Sequence, residues 1–300
     1  MKVMTTLLLP VLLAAGVASA ADRRIEKNFT VAPGGTLMLA TDIGSVAVTG
    51  TDGKEVTILA VLRGSAKDID EFSVEAVQTD RGVEVKGEAK RSGWLWKWDD
   101  IEVSFTVRVP REYNVKLNTS GGDLNVSSLR GTAGGETSGG NITLKDIEGA
   151  VLMGTSGGNI RVERVKGDVR METSGGNITI TDVKGGLDVN TSGGNITIGE
   201  IDGKIHAETS GGDVVVRLKE ANRGVFVETS GGDIEIGLPA GVGATIDAST
   251  SGGEVTCDLP ITMTGKLDES RIRGTVNGGG EMVRARTSGG DIRIGDTGRN

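Results

Sequence analysis

Gly176-Asn177-Ile178-Thr179-Ile180-Thr181-Asp182-Val183-Lys184-Gly185-Gly186-Leu187-Asp188-Val189-Asn190-Thr191 is the stretch that decides how this chain folds. Ile178 and Ile180 alternate with polar residues, as do Leu187 and Val189, and Val183 stands alone between the pairs. Alternation with a period of two puts each pair on one face of a short strand. The preceding coil repeats the pattern with Ile160, Val162, Val165, Val169 and Met171, and the following one with Ile196, Ile198, Ile201, Ile205 and Ala207.

Outward from this stretch, Thr-Ser-Gly-Gly followed by Asn or Asp begins at Thr119, Thr137, Thr155, Thr173, Thr191 and Thr209, each step 18 residues. It returns at Thr229 and Thr287, with a Glu variant at Thr250. A fixed period means that each unit cannot bury its own apolar side and must stack on its neighbours. Five inward aliphatics per coil, worth about 1.5–3 kcal/mol each when buried, supply the drive. The expectation is an all-β β-solenoid, parallel β-helix or β-roll-like, with roughly ten coils of 18–21 residues over 114–300. The 37-residue interval from Thr250 to Thr287 reads as two coils, with a degraded corner at Asn277-Gly278-Gly279-Gly280.

Pairs such as Gly175-Gly176 are expected to take positive φ at one corner, and Gly167, Gly185 and Gly203 mark a second. Asn141, Asn159, Asn177 and Asn195 recur at one point of successive coils. Stacked about 4.8 Å apart they would form an amide ladder. Asp213, Asp233, Glu254 and Asp291 continue the column and are expected to cap their own turn or face water. Residues 21–113 lack the phrase yet alternate in short runs, so they read as a β-rich N-terminal cap region, with a short helix around Asp68 to Phe72.

Residues 1–20 read differently. Lys2, an apolar run from Val3 to Val17 and Ala18-Ser19-Ala20 make a secretory signal peptide, too short for a stable membrane span. The single cysteine, Cys257, leaves neither a lipobox nor an internal disulfide. Cleavage would take the net charge from −8 to −9 by removing Lys2. The expectation is an exported protein of the periplasm, cell surface or medium, without a transmembrane span and without electrostatic reason to bind nucleic acid.

Three features together resemble the bacterial "putative adhesin" family: Phe29-x-Val31-x-Pro33-Gly34-Gly35, Val109-Pro110 leading to Leu117-Asn118-Thr119-Ser120-Gly121-Gly122-Asp123, and the Thr-Ser-Gly-Gly repeats. The resemblance spans nearly the whole mature chain. It implies a β-solenoid and a role in adhesion, and it carries no assigned reaction, cofactor or catalytic residue. No sorting motif with an apolar tail closes the sequence.

Chemistry is sparse. His206 is the only histidine and sits between inward Ile205 and Ala207, hence outside, so no histidine-based acid–base pair or triad is expected. Asp182 and Glu200 fall one coil apart, as chance allows among 41 acids. The repeat departs from the calcium β-roll pattern G-G-x-G-x-D-x-U-x, although the turns at Asp213 and Asp233 leave weak metal binding open. Cys257 replaces an inward Ile and reads as a core thiol. Trp94, Trp96 and Trp98 alternate with Leu95 and Lys97 and share one face of an extended strand. With the parity of Glu102, Ser104 and Thr106 they would form an exposed patch for a glycan or protein. A bulge at Asp99-Asp100 would instead fold the rings over the end of the stack.

The reading is therefore a non-enzymatic, exported, adhesin-like or envelope scaffold that binds an envelope or extracellular protein or glycan. The rival is a structural element that self-associates through terminal rungs, because Gly289 to Ile294 ends the chain on a fresh strand. A polysaccharide-active enzyme would need a cleft that minimal coils do not wall.

Overall fold

The computed structural model describes residues 21–90, 101–263 and 268–297. These residues form 27 strands and one short helix. The first part comprises β1 (Ala21–Thr30), β2 (Thr36–Thr41), β3 (Ser45–Thr51), β4 (Glu55–Gly64), α1 (Ala66–Asp70), β5 (Phe72–Thr79), β6 (Gly82–Ala89) and β7 (Ile101–Pro110). The repeats supply β8 (Asn114–Thr119), β9 (Leu124–Arg130), β10 (Ala133–Thr137), β11 (Ile142–Glu148), β12 (Val151–Thr155), β13 (Ile160–Lys166), β14 (Val169–Thr173), β15 (Ile178–Lys184), β16 (Leu187–Thr191), β17 (Ile196–Asp202) and β18 (Ile205–Thr209). The last part holds β19 (Val214–Arg217), β20 (Val225–Glu228), β21 (Ile234–Leu238), β22 (Ala244–Ser249), β23 (Val255–Cys257), β24 (Ile261–Met263), β25 (Arg271–Val276), β26 (Met282–Arg286) and β27 (Ile292–Asp296).

Successive repeat strands alternate between two sheets, and each pairs in parallel with its equivalent in the next coil. Ile142, Ile160, Ile178 and Ile196 are consecutive Cα partners, so the 18-residue sequence period is the sheet register itself. The five inward positions of the quoted coil are all buried, and so are their equivalents above and below. The predicted β-solenoid is the observed fold.

Its ends are built differently from a simple stack. The first sheet runs β1-β4-β7-β3-β9 before the regular odd-numbered strands, and finishes β21-β27-β23. The second starts β5-β6-β2-β8 and finishes β20-β26-β22-β25-β24. The coil of β2 and β3 thus stacks in register on β8 and β9, and the later strands β6 and β7 lie outside it. Antiparallel β4, β1 and β5 close that end. At the other end the coil of β26 and β27 is inserted between β20–β21 and β22–β23.

Two expectations change here. The interval from Thr250 to Thr287 is not two further coils: it holds the three-residue β23 and the antiparallel pair β24–β25. Asn277, Gly278 and Gly279, all at positive φ, make the turn that sends β25 back into β26. The final strand β27 is also not a free edge, because it pairs with β21 on one side and β23 on the other. That removes the reason for proposing self-association through it.

The corners show why the repeated phrase has its composition. Gly176 does not take positive φ; a Cβ there would stand 1.9 Å from the Gly158 carbonyl oxygen of the coil beneath. Its requirement is close approach of backbones, not turn conformation. Each phrase-opening Thr is buried. Thr173, for example, donates its hydroxyl to the Gly158 carbonyl (3.0 Å) and accepts from the Gly176 N–H (3.3 Å). The Asn/Asp column works between coils. Asn177 N–H donates to Asn159 Oδ1, Asp213 N–H to Asn195 Oδ1, and Asp233 N–H to Asp213 Oδ1, each at 2.9 Å. Among the described residues, side-chain-to-side-chain bonds in the column are confined to the first steps, where the Asn141 amide donates to the Asp123 carboxylate (3.2 Å) and the Asn159 amide to Asn141 Oδ1 (3.4 Å). Only an acceptor oxygen is needed, so Asp replaces Asn freely.

Candidate functional site

Aliphatic chains and bonded threonines fill the interior of the regular coils, with Phe72, Phe105 and Tyr113 buried toward the N-terminal end, so most of the charged chemistry lies on the outer faces. The helix is too short to cross a membrane, and no other helix occurs among the described residues.

His206 projects outward from β18, half exposed, with Nε2 3.0 Å from Glu208 Oε1. Its cross-strand neighbours are Asp188 and Phe226. Asp182 and Glu200 sit one coil apart at equivalent corners. Each occupies a left-handed corner (φ 55° and 59°), in a column with Ser128, Asp146 and Arg164. Arg164 clamps Asp146 through two bonds of 2.6 and 3.2 Å, and Lys219 reaches Glu200 at 2.6 Å. The Arg164 hydrogen bond holds the Asp146 carboxyl below its ordinary range, and the Glu200 bond raises the Lys219 ammonium. These are exposed ion pairs along a corner. Sequence reading missed the left-handed column, since Ser, Asp, Arg and Glu share no turn signature.

Asp213 and Asp233 each give Oδ1 to the N–H of the next coil, and no cluster of three metal-ligating side chains occurs among the described residues. Cys257 corrects the core-thiol expectation in part. It faces inward, paired with Ile294, but β23 is the outermost rung of its sheet, so the thiol is only half-buried. Burial raises its pKa. Trp94, Trp96 and Trp98 lie outside the described residues.

The outer face of the second sheet is the most varied surface. Leu152, Arg170, Asp188, His206, Phe226 and Arg284 follow one another, rung by rung, in a single column. Leu152 is 61% exposed. A shallow groove runs along Leu152, Arg170, Asp188, His206 and Phe226, open to solvent and without enclosing loops. Lys204 Nζ stands 4.8 Å from the Phe226 ring centre. Such a face can present apolar, aromatic and charged groups at the spacing of the rungs, and it cannot exclude water from a reacting atom.

The profile of the Toastrack DUF4097 family matches residues 36–295, which begin at β2 and end in β27. The chain belongs to the Toastrack family. The resemblance carried by its motifs is thereby shown. Solved structures similar to this Toastrack chain include a "putative adhesin" from Bacteroides fragilis NCTC 9343, 11% identical, covering 91% of this chain and 97% of that one with a TM-score of 0.44. Another "putative adhesin", from Parabacteroides distasonis ATCC 8503, is 14% identical, with 91% and 97% covered and a TM-score of 0.39. A "putative lipid binding protein" from the same strain is 14% identical, with 90% and 96% covered and a TM-score of 0.42. No match was found among curated proteins.

Proposed function

We propose that this Toastrack chain is an exported, non-enzymatic binding or scaffold protein of the cell envelope. Its partner is a protein or glycan engaged along an outer strand face. The observation that carries this reading is the filled interior. Every inward position of the regular coils is aliphatic, small or an internally bonded Thr, so among the described residues of these coils chemistry is displayed on the outer surface. A name shared by neighbours, adhesin, accords with it. The signal-peptide reading of residues 1–20 supplies the export.

The test is location. Cells are fractionated, the mature N-terminus is read by mass spectrometry, and external protease is applied to intact cells. A chain beginning at Ala21 in the envelope or medium is the expected result. Accessibility to external protease supports adhesion; shielding in the periplasm supports a scaffold. A cytoplasmic chain retaining Met1 to Ala20 overturns the reading.

A further inference from the structure

At the C-terminal end of the varied face, β26, β22 and β25 lie side by side. One row across them is Arg284, Asp247, Arg273, and the next outward row is Arg286, Ser249, Arg271. The Cα atoms of four arginines therefore stand at the corners of a rectangle, with Asp247 midway along one side and the short Ser249 midway along the other. Two inter-strand spacings make it roughly 10 Å wide.

The charges do not balance. Arg273 Nε and Arg271 Nη2 reach Asp247 Oδ1 at 3.1 and 3.4 Å, and Arg284 Nε and Arg286 Nη2 approach Oδ2 at 3.7 and 3.8 Å. One carboxylate thus faces four permanent cations. The Nε atoms of Arg271 and Arg284 are buried without a hydrogen-bond partner. Beyond the rectangle, Glu228 neighbours Arg286 and Lys204 lies over Phe226, whose ring is also 5.8 Å from Arg284. Counting Lys204, Glu228 and Asp268, which is bridged to Arg271, positive charge exceeds negative by two, in a chain whose net charge is −8.

Holding strands together does not account for this. A single arginine suffices to pair Asp247, whose side chain is only 12% exposed, and the like charges of the others on neighbouring strands are destabilising. Asp247 is itself desolvated, which pushes its carboxyl up, but Arg273 and Arg271 outweigh that and keep it ionised. It is an anchor that orders the guanidinium groups, too small to neutralise them. The remaining donors point to a second anion beside Asp247, on the side of the short Ser249.

We propose that the patch formed by Arg271, Arg273, Arg284 and Arg286 binds a compact phosphate-class oxyanion. This rests on the reading of the chain as a binding protein and names the chemistry one of its faces takes. Guanidinium forks suit phosphate oxygens geometrically, and a phosphate monoester, at about −1.5 to −2 near pH 7, matches the excess charge. Such an oxyanion is offered by soluble phosphates and by lipid headgroups, and the proposal commits to the soluble source. A strongly acidic protein is repelled by a broad anionic bilayer, which favours the soluble one.

The test is equilibrium dialysis of the purified protein against radiolabelled inorganic phosphate at fixed ionic strength, with sedimentation of phosphatidylcholine vesicles with and without phosphatidic acid as the second arm. Saturable binding of one phosphate per chain is expected. Arg271→Gln with Arg286→Gln should weaken it at least tenfold. Should the double variant fail to fold by circular dichroism, Arg286→Lys keeps the charge, loses the fork and should still weaken binding. No saturable phosphate binding, or binding indifferent to these arginines, overturns the proposal. Sedimentation with phosphatidic acid vesicles without phosphate binding also overturns it, in favour of membrane docking. A chain found at the envelope that binds no phosphate loses this inference and keeps the wider reading.

Discussion

The Thr287 hydroxyl donates to the Gly232 carbonyl at 2.9 Å across 55 residues of sequence. Thr250 in turn donates to the Gly290 carbonyl at 2.8 Å. These two bonds stitch the coil nearest the C-terminus between two coils that precede it in sequence. The same bond links Thr119 to Gly44 at the opposite end. A line of buried hydroxyls therefore follows the spatial order of the coils through every exchange of sequence order. From Thr137 onward each hydroxyl is both donor and acceptor within the wall, which is why a polar side chain is tolerated inside.

The inserted coil makes truncation severe. In an ordinary solenoid, loss of the last repeat trims one unit and its single interface. Deleting residues 281–300 here removes β26 and β27 from between two pairs of strands and strands β22 and β23 without their parallel partners. The expected outcome is loss of the cooperative urea transition of the C-terminal coils. A truncated chain that unfolds with an undiminished slope and midpoint would contradict the inserted topology.

Thr191 tests the hydroxyl line. It donates to the Gly176 carbonyl at 3.2 Å and accepts from the Gly194 N–H at 3.3 Å, both buried. Thr191→Val keeps the shape and leaves two backbone groups unpaired, a cost of about 1–3 kcal/mol. Thr191→Ser keeps the hydroxyl and should lose less. Urea midpoints of the three proteins settle it, and equal losses for Val and Ser would show that the methyl, not the hydroxyl, matters.

Adjacent glycines should behave oppositely. A Cβ on Gly175 would find its nearest neighbour at 3.8 Å, whereas one on Gly176 would lie 1.9 Å from a backbone oxygen. Gly175→Ala should shift stability by less than about 0.5 kcal/mol, in the manner of surface substitutions, and Gly176→Ala by more than about 4 kcal/mol. Thermal melts of the two variants check this, with similar melting points counting against a close-packed corner.

How much of this was readable in advance divides by distance along the chain. Inward aliphatics such as Ile178 and Val183 were legible because period-two alternation and an 18-residue repeat both mark them. The spatial order of β22, β26 and β27 was not, since pairing between strands of different coils has no local signature. For the same reason the arginines at 271, 273, 284 and 286 look scattered until β25 and β26 flank Asp247. The reason for Gly176 was also hidden: turn propensity suggests conformation, while the constraint is a carbonyl 18 residues earlier.

Tyr113 yields the last prediction. Its ring is fully buried beneath the Pro33-Gly34-Gly35 turn. A Cβ on Gly35 would stand 2.6 Å from Cε2, and one on Gly82 2.5 Å from the hydroxyl oxygen. The hydroxyl has no hydrogen-bond partner, and burial raises its pKa. A raised folded pKa means that stability is whole below the unfolded value of about 10 and declines as pH climbs from there through the folded pKa. Tyr113→Phe removes both the unpaired hydroxyl and the titration. The variant should match or exceed the parent at pH 7, within about 1 kcal/mol, and should lose less stability above pH 10. Because this is the only tyrosine in the chain, tyrosinate absorbance during alkaline unfolding reports on it alone. Ionisation near pH 10 ahead of unfolding, or a Phe variant clearly less stable at neutral pH, would mean that the hydroxyl is solvated or bonded.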